Sequence, residues 1–168
     1  ENIQMFTKNY ELIILDCASD FPFEDSAKHL QKLLRPEDTY LVFEENLTTP
    51  QAFNKGVELT KGQYVHIGLA NDVLVHQNWL KELLKYYNPK SPVKILSPMY
   101  SRYKPEEYEE IVRKAKETPI AEWPHVKFSH LSGGYFMEKK TFKEIGNFDE
   151  NLYFYYLDDD YERTIDQK

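Results

Sequence analysis

Short apolar runs alternate along this chain with stretches whose apolar positions recur every three or four residues. Glu11-Leu-Ile-Ile-Leu-Asp16 is an apolar run stopped by polar residues, which predicts a strand buried on both faces. Ser26 to Leu34 carries Ala27, Leu30, Leu33 and Leu34 on one side, with Pro36 just past its end, and predicts a helix. Tyr40 to Phe43 is a second strand. Pro50 opens the next helix where a missing N–H costs nothing, and Gly62 lies shortly beyond its end. Gln63 to Leu69 predicts a third strand. Trp79, Leu80, Leu83, Leu84 and Tyr87 then keep helical spacing until Asn88-Pro89. Val93 to Leu96 is a fourth strand, and Pro105 to Lys116 a helix with Tyr108, Ile111, Val112 and Ala115 inward. Lys127 to Lys139 reads as a strand broken at Gly133-Gly134, and short helices around Thr141 to Ile145 and after Leu157 finish the pattern.

Strands that alternate with helices of about ten residues require crossover connections, so the fold class is α/β with a mainly parallel sheet flanked by helices. Ligands of such sheets bind beyond the carboxyl ends of the strands. Asp16 and Asp72 both end predicted strands, and both are expected to face one crevice.

Composition narrows the picture. The 168 residues, 41% hydrophobic and 15% aromatic, suit a single folded domain spanning 1–168. Because the sequence starts without Met, inside what reads as the end of a helix, it is expected to be an N-terminally incomplete piece of a longer protein. A net charge of −7 with no dense basic patch argues against nucleic acid as a partner. Cys17 is the only cysteine, which rules out an intrachain disulfide and points to a reducing, cytoplasmic setting. No apolar run approaches the ~20 residues of a spanning helix, and no signal peptide is visible.

Two acidic positions carry the candidate chemistry. Asp72, beside Asn71, is a hard carboxylate at a strand end, suited to Mg²⁺ or Mn²⁺ on a diphosphate; it equally suits a turn or helix cap. Asp158, Asp159 and Asp160 crowd like charges at a helix start behind the aromatic run Tyr153 to Tyr156. Repulsion among them favours a general base, while a solvated helix start is the commoner use of such a run. Gly133-Gly134 opens the backbone beside Ser132 to a ligand, or forms a bulge. The five histidines lack metal-ligand spacing, and His66 is expected to be a hydrogen-bonded core residue. With no G-x-G-x-x-G or Walker pattern, a glycine cradle for nucleotide is not supported, and a nucleotidyltransferase is the weaker reading.

Taken together, four stretches resemble family 2 glycosyltransferases of the GT-A (Rossmann-like) fold. Tyr10 to Asp20 is similar to the second strand and its acidic turn, and Phe53-Asn-Lys-Gly56 through Gly62-Gln-Tyr64 to the helix before the metal strand. Leu69 to Leu80 is similar to the D-x-D strand and the helix after it. Ser132-Gly-Gly134, Ile145 to Glu150 and Phe154 to Asp160 resemble the acceptor loop, the G-x-F-D-E turn and the acidic catalytic motif.

The resemblance implies transfer of a sugar, with inversion, from a nucleotide-diphosphate donor to a glycan or other acceptor hydroxyl, as in polysaccharide biosynthesis. It places Asp72, with Asn71, at a Mn²⁺ or Mg²⁺ ion and Asp16 or Cys17 at the nucleobase. Asp158 matches the base, and a shift of one register moves that role to Asp159. Three departures stand out: Ala70 occupies the first D-x-D position, Cys17 stands where the family often has an acid, and the family's first strand is missing. They motivate the alternative of a glycosyltransferase-like module that binds nucleotide sugar or glycan without turnover.

Overall fold

The computed structural model describes residues 9–19, 24–68, 79–87, 90, 95–96, 107, 109–110, 113, 134–153 and 156–167. In chain order its elements are β1 (Ile13–Cys17), α1 (Glu24–Leu33), β2 (Thr39–Phe43), α2 (Thr49–Leu59), β3 (Tyr64–Gly68), α3 (Trp79–Tyr86), β4 (Gly134–Glu138), α4 (Lys139–Ile145) and α5 (Leu157–Asp166). The chain divides into two compact units, Asn9–Val65 with Glu138–Lys168, and Glu1–Lys8 with His66–Met137.

In the first of these units β1 and β2 pair in parallel across the α1 crossover, with Ile13 opposite Thr39 and Cys17 opposite Phe43. Asp38 fixes the entry to β2. Its Oδ1 accepts the Leu12 N–H at 2.9 Å and Arg35 Nη2 at 2.7 Å, and its Oδ2 accepts the Arg35 N–H at 2.9 Å and Nε at 3.0 Å. Arg35 in turn lies 3.8 Å over the Tyr10 ring. Helix α2 starts with a reciprocal capping box: the Thr48 hydroxyl accepts from the Gln51 N–H, and the Thr48 N–H donates to Gln51 Oε1 at 2.9 Å. Beyond its end, the Glu11 carboxylate accepts the N–H groups of Lys61 and Gly62, which holds the turn into β3.

Val57, Phe142, Ile145, Phe148, Leu157 and Tyr161 form the buried centre of this unit. Phe148 is the hub: its ring stacks on Tyr161 at 4.0 Å and meets Phe53 edge-on at 5.4 Å. Gly146 ends α4 at φ 112° and ψ 178°, a conformation open almost only to glycine, while its N–H bonds Phe142 O at 2.9 Å.

In the other unit the core is Ile67, Tyr87, Ile95, Tyr135, Phe136 and Met137. Tyr87 meets Phe136 edge-on at 6.1 Å, and Leu96 forms an antiparallel bridge with Phe136.

The α/β class holds, and several details differ from the pattern read along the chain. The described residues make two two-stranded sheets, β1-β2 and β3-β4, rather than one continuous parallel sheet. β1 is half-buried at every position and Val42 is 63% exposed, because β1 pairs with β2 and packs on α2 without being enclosed. The fourth strand reduces, among the described residues, to the Leu96 bridge. The strand expected up to Lys139 is described from Gly134, and a helix follows it directly at Lys139. Of the aromatic run, Tyr153 and Tyr156 are described; both lie outside the strands and are 69% and 72% exposed. The helix expected over Pro105 to Lys116 lies almost wholly outside the described residues.

Candidate functional site

Asp16 and Cys17 end β1, at the carboxyl edge of a parallel pair where ligands of α/β sheets bind. The chain leaves them through Ala18, a non-glycine residue at φ 56°. Asp16 is held from two sides: Oδ1 accepts the Ser19 N–H at 2.9 Å and Oδ2 accepts the Tyr40 hydroxyl at 2.7 Å. Hydrogen bonds from the Ser19 hydroxyl, from Tyr40 and from the Ser19 N–H lower its pKa from the ordinary 3.8. A carboxylate retains further lone pairs, so a pinned Asp16 can still accept from a ligand. Sequence reasoning missed Tyr40. The signal was there: Asp16 faces Val42 in the register, and Tyr40, two residues earlier, lies on the same side of its strand as Val42.

Burial pushes the Cys17 thiol above its ordinary value, against a hydrogen bond from the Leu47 N–H. A raised pKa disfavours the thiolate, the form in which a cysteine acts as a nucleophile.

Asp158, Asp159 and Asp160 occupy the first turn of α5, a favourable place for negative charge. The N-cap, Tyr156, is left-handed at φ 64° and supplies no side-chain cap. Asp158 is half-buried and its Oδ1 accepts the Asp159 N–H at 3.2 Å. Asp159 and Asp160 line a hollow of about 300 Å³ with Leu152, Tyr156 and Arg163. Carboxylates beside an exposed aromatic face can accept a hydroxyl proton while the ring packs on a sugar. A larger hollow of about 470 Å³, walled by Phe43, Val57, Phe142 and Lys143 among others, contains none of the predicted site residues.

Asn71 and Asp72 lie outside the described residues, as do Ser132 and Gly133. Among the described residues no group of three His, Cys, Asp or Glu side chains is arranged to hold a metal ion. His66 is half-buried in β3, and among the described residues its covered Nδ1 and the Nε1 of Trp79 lack hydrogen-bond partners, which departs from the expectation of a hydrogen-bonded core histidine. The two rings lie 5.2 Å apart.

A parallel strand pair with a carboxylate at its outgoing end, followed along the chain by an acid-rich helix start, defines an α/β protein with a candidate site at that strand edge. The chain matches the model of glycosyl transferase family 2 over residues 2–146 and belongs to that family. No curated protein matches it. Membership supports a glycosyltransferase-like function and implies a nucleotide-sugar donor and an acceptor; divalent metals are common in the family. The matched span contains Asp16, Cys17, Asn71 and Asp72, whereas Asp158, Asp159 and Asp160 lie beyond it. Among the described residues no helix is long and apolar enough to cross a membrane.

Proposed function

We propose that the chain is a metal-dependent, inverting glycosyltransferase, moving a sugar from a nucleotide-diphosphate donor to an acceptor hydroxyl. The family match over residues 2–146 carries the reading. Asp16, oriented by Tyr40 and Ser19, contacts the nucleobase, with the Cys17 thiol beside it. One carboxylate of Asp158, Asp159 and Asp160 takes the proton from the acceptor hydroxyl. The hollow favours Asp159 or Asp160 for that role, since both line it. The acceptor oxygen then attacks the anomeric carbon opposite the departing diphosphate, so one displacement inverts the centre. Asp72, with Asn71, would hold Mn²⁺ or Mg²⁺, and that ion would supply charge neutralisation for the leaving diphosphate.

The test is turnover of a panel of UDP-, GDP- and dTDP-linked hexoses with Mn²⁺, for the unaltered chain and for Asp158→Asn, Asp159→Asn and Asp160→Asn. Removing the base lowers kcat by about 10²–10⁴ in one of the three. Full activity in all three sinks the assignment. Donor binding without any turnover identifies the binding-only module, the reading that Ala70 and Cys17 favour.

A further inference from the structure

We infer that Asn54 is a positioning residue that ties the acid-bearing helix α5 to the donor edge of the sheet. The inference rests on the assignment of the base to the start of α5.

Helix α2 packs on β1, with Leu15 Cδ1 3.7 Å from where a Gly56 Cβ would lie, and the Thr48 capping box fixes the start of the helix. Two turns in, Asn54 is only 8% exposed, and it uses both ends of its amide. Oδ1 accepts the Phe148 N–H at 2.9 Å, while Nδ2 donates to Phe148 O at 3.0 Å and to Glu150 Oε1 at 2.9 Å. Bonds to both the N–H and the C=O of one residue fix the two peptide groups that flank Phe148 against α2.

From Phe148 the constraint passes to α5 by contact. The Phe148 ring stacks on Tyr161 at 4.0 Å and 27°, and the Tyr161 hydroxyl donates to Gly146 O at 3.3 Å. Tyr161 is 1% exposed and directly follows Asp160. Moving the Phe148 turn therefore moves the first turn of α5 against the end of β1. A buried asparagine inside a helix is a poor helix former and a costly burial unless fully bonded. Only a planar amide offers a donor and an acceptor at this spacing, so neither Asp nor Leu replaces it.

The experiment uses the full chain with the panel hexose donor that turns over fastest in Mn²⁺. Asn54→Asp puts a second acceptor against Phe148 O and the Glu150 carboxylate. It is expected to lower kcat by about 10- to 100-fold, since misplacement by about 1 Å costs that much. Donor KM should stay within about twofold of the unaltered chain, because the donor edge itself is untouched. Adding Glu150→Gln to Asn54→Asp restores a donor opposite the new carboxylate and recovers part of kcat. Hydrogen exchange reads the clasp without any turnover: the Phe148 amide and the α5 amides exchange faster, while those of β1 and β2 do not change. If Asn54→Asp does not fold, Glu150→Ala at an exposed position removes one of the three bonds; faster Phe148 exchange with a several-fold lower kcat supports the inference. Unchanged α5 exchange, or a KM that rises as far as kcat falls, overturns it. Turnover that survives Asn at each of positions 158 to 160 instead removes the base from α5, a separate failure from that of the clasp.

Discussion

Asp38 and His66 show how much single side chains contribute here, and in both cases pH exposes the contribution. Hydrogen bonds from the Arg35 side chain, helped by the N–H groups of Arg35 and Leu12, hold the Asp38 carboxyl at about 2. Its side chain is fully covered, so Asp38→Ala leaves the Leu12 N–H without its acceptor and strips Arg35 of its bonds to Asp38, with Tyr10 O and Glu37 still in place. The expected loss is about 2–4 kcal/mol at neutral pH, read by urea unfolding. With a folded pKa below the ordinary 3.8, that stability is present above pH 3.8 and lost as pH falls through about 2. The gap between the unaltered chain and the variant should close in that window. Burial pushes His66 down to about 4 from its ordinary 6.5. The unfolded chain therefore takes up a proton first, and stability present above pH 6.5 is lost as pH falls through 4. At about 1.4 kcal/mol for each unit, the loss is on the order of 3 kcal/mol. His66→Phe, which keeps a ring against Trp79, should flatten the urea-derived stability curve between pH 6.5 and 4. An unchanged slope would put the acid sensitivity in other groups.

Among elements, those written in local chemistry were legible. Apolar runs gave β1 and β2, and Pro50 marked the start of α2. Where the signal is tertiary, the pattern misled. Tyr135 to Met137 reads as strand and is one, but α4 begins at Lys139 with no capping side chain to announce it. Val93 to Leu96 looks as apolar as β1, yet its described part makes only a bridge to Phe136, a partner set by the fold rather than by its own residues. The aromatics around Tyr156 suit a strand by propensity, and the left-handed Tyr156 turns the chain into α5 instead. The close of α4 offers a direct check. At Gly146 the backbone angle rather than space is limiting, since a Cβ there would touch nothing within 4 Å. Gly146→Ala should cost about 1–3 kcal/mol in urea or thermal unfolding, and a smaller effect would mean that this turn relaxes readily.

For the whole molecule, the sequence revealed the acids and not what holds them. Asp16 and the run at 158 to 160 were visible as residue types at element ends, whereas Asn54, visible only as part of a motif, finds its partner 94 residues away and nothing local announces that bond. The role that reaches furthest beyond the described residues is the cation at Asp72, and it makes a prediction for the chain as a single thermodynamic system. A nucleoside diphosphate is an anion approaching a protein of net charge −7, so its binding should depend strongly on a bridging cation. A ligand at 100 times its Kd stabilises the folded state by about 2.7 kcal/mol. UDP, GDP or dTDP with Mn²⁺ should therefore raise the thermal midpoint measurably. The rise should vanish when EDTA replaces Mn²⁺, and again in Asp72→Asn with Mn²⁺ present. Measured at low and at about 1 M salt, general charge repulsion would fade, because screening is then nearly complete beyond about 3 Å, whereas dependence on a coordinated ion would persist. A midpoint shift that EDTA leaves intact would detach Asp72 from the diphosphate, and one that salt alone restores would assign the effect to net charge.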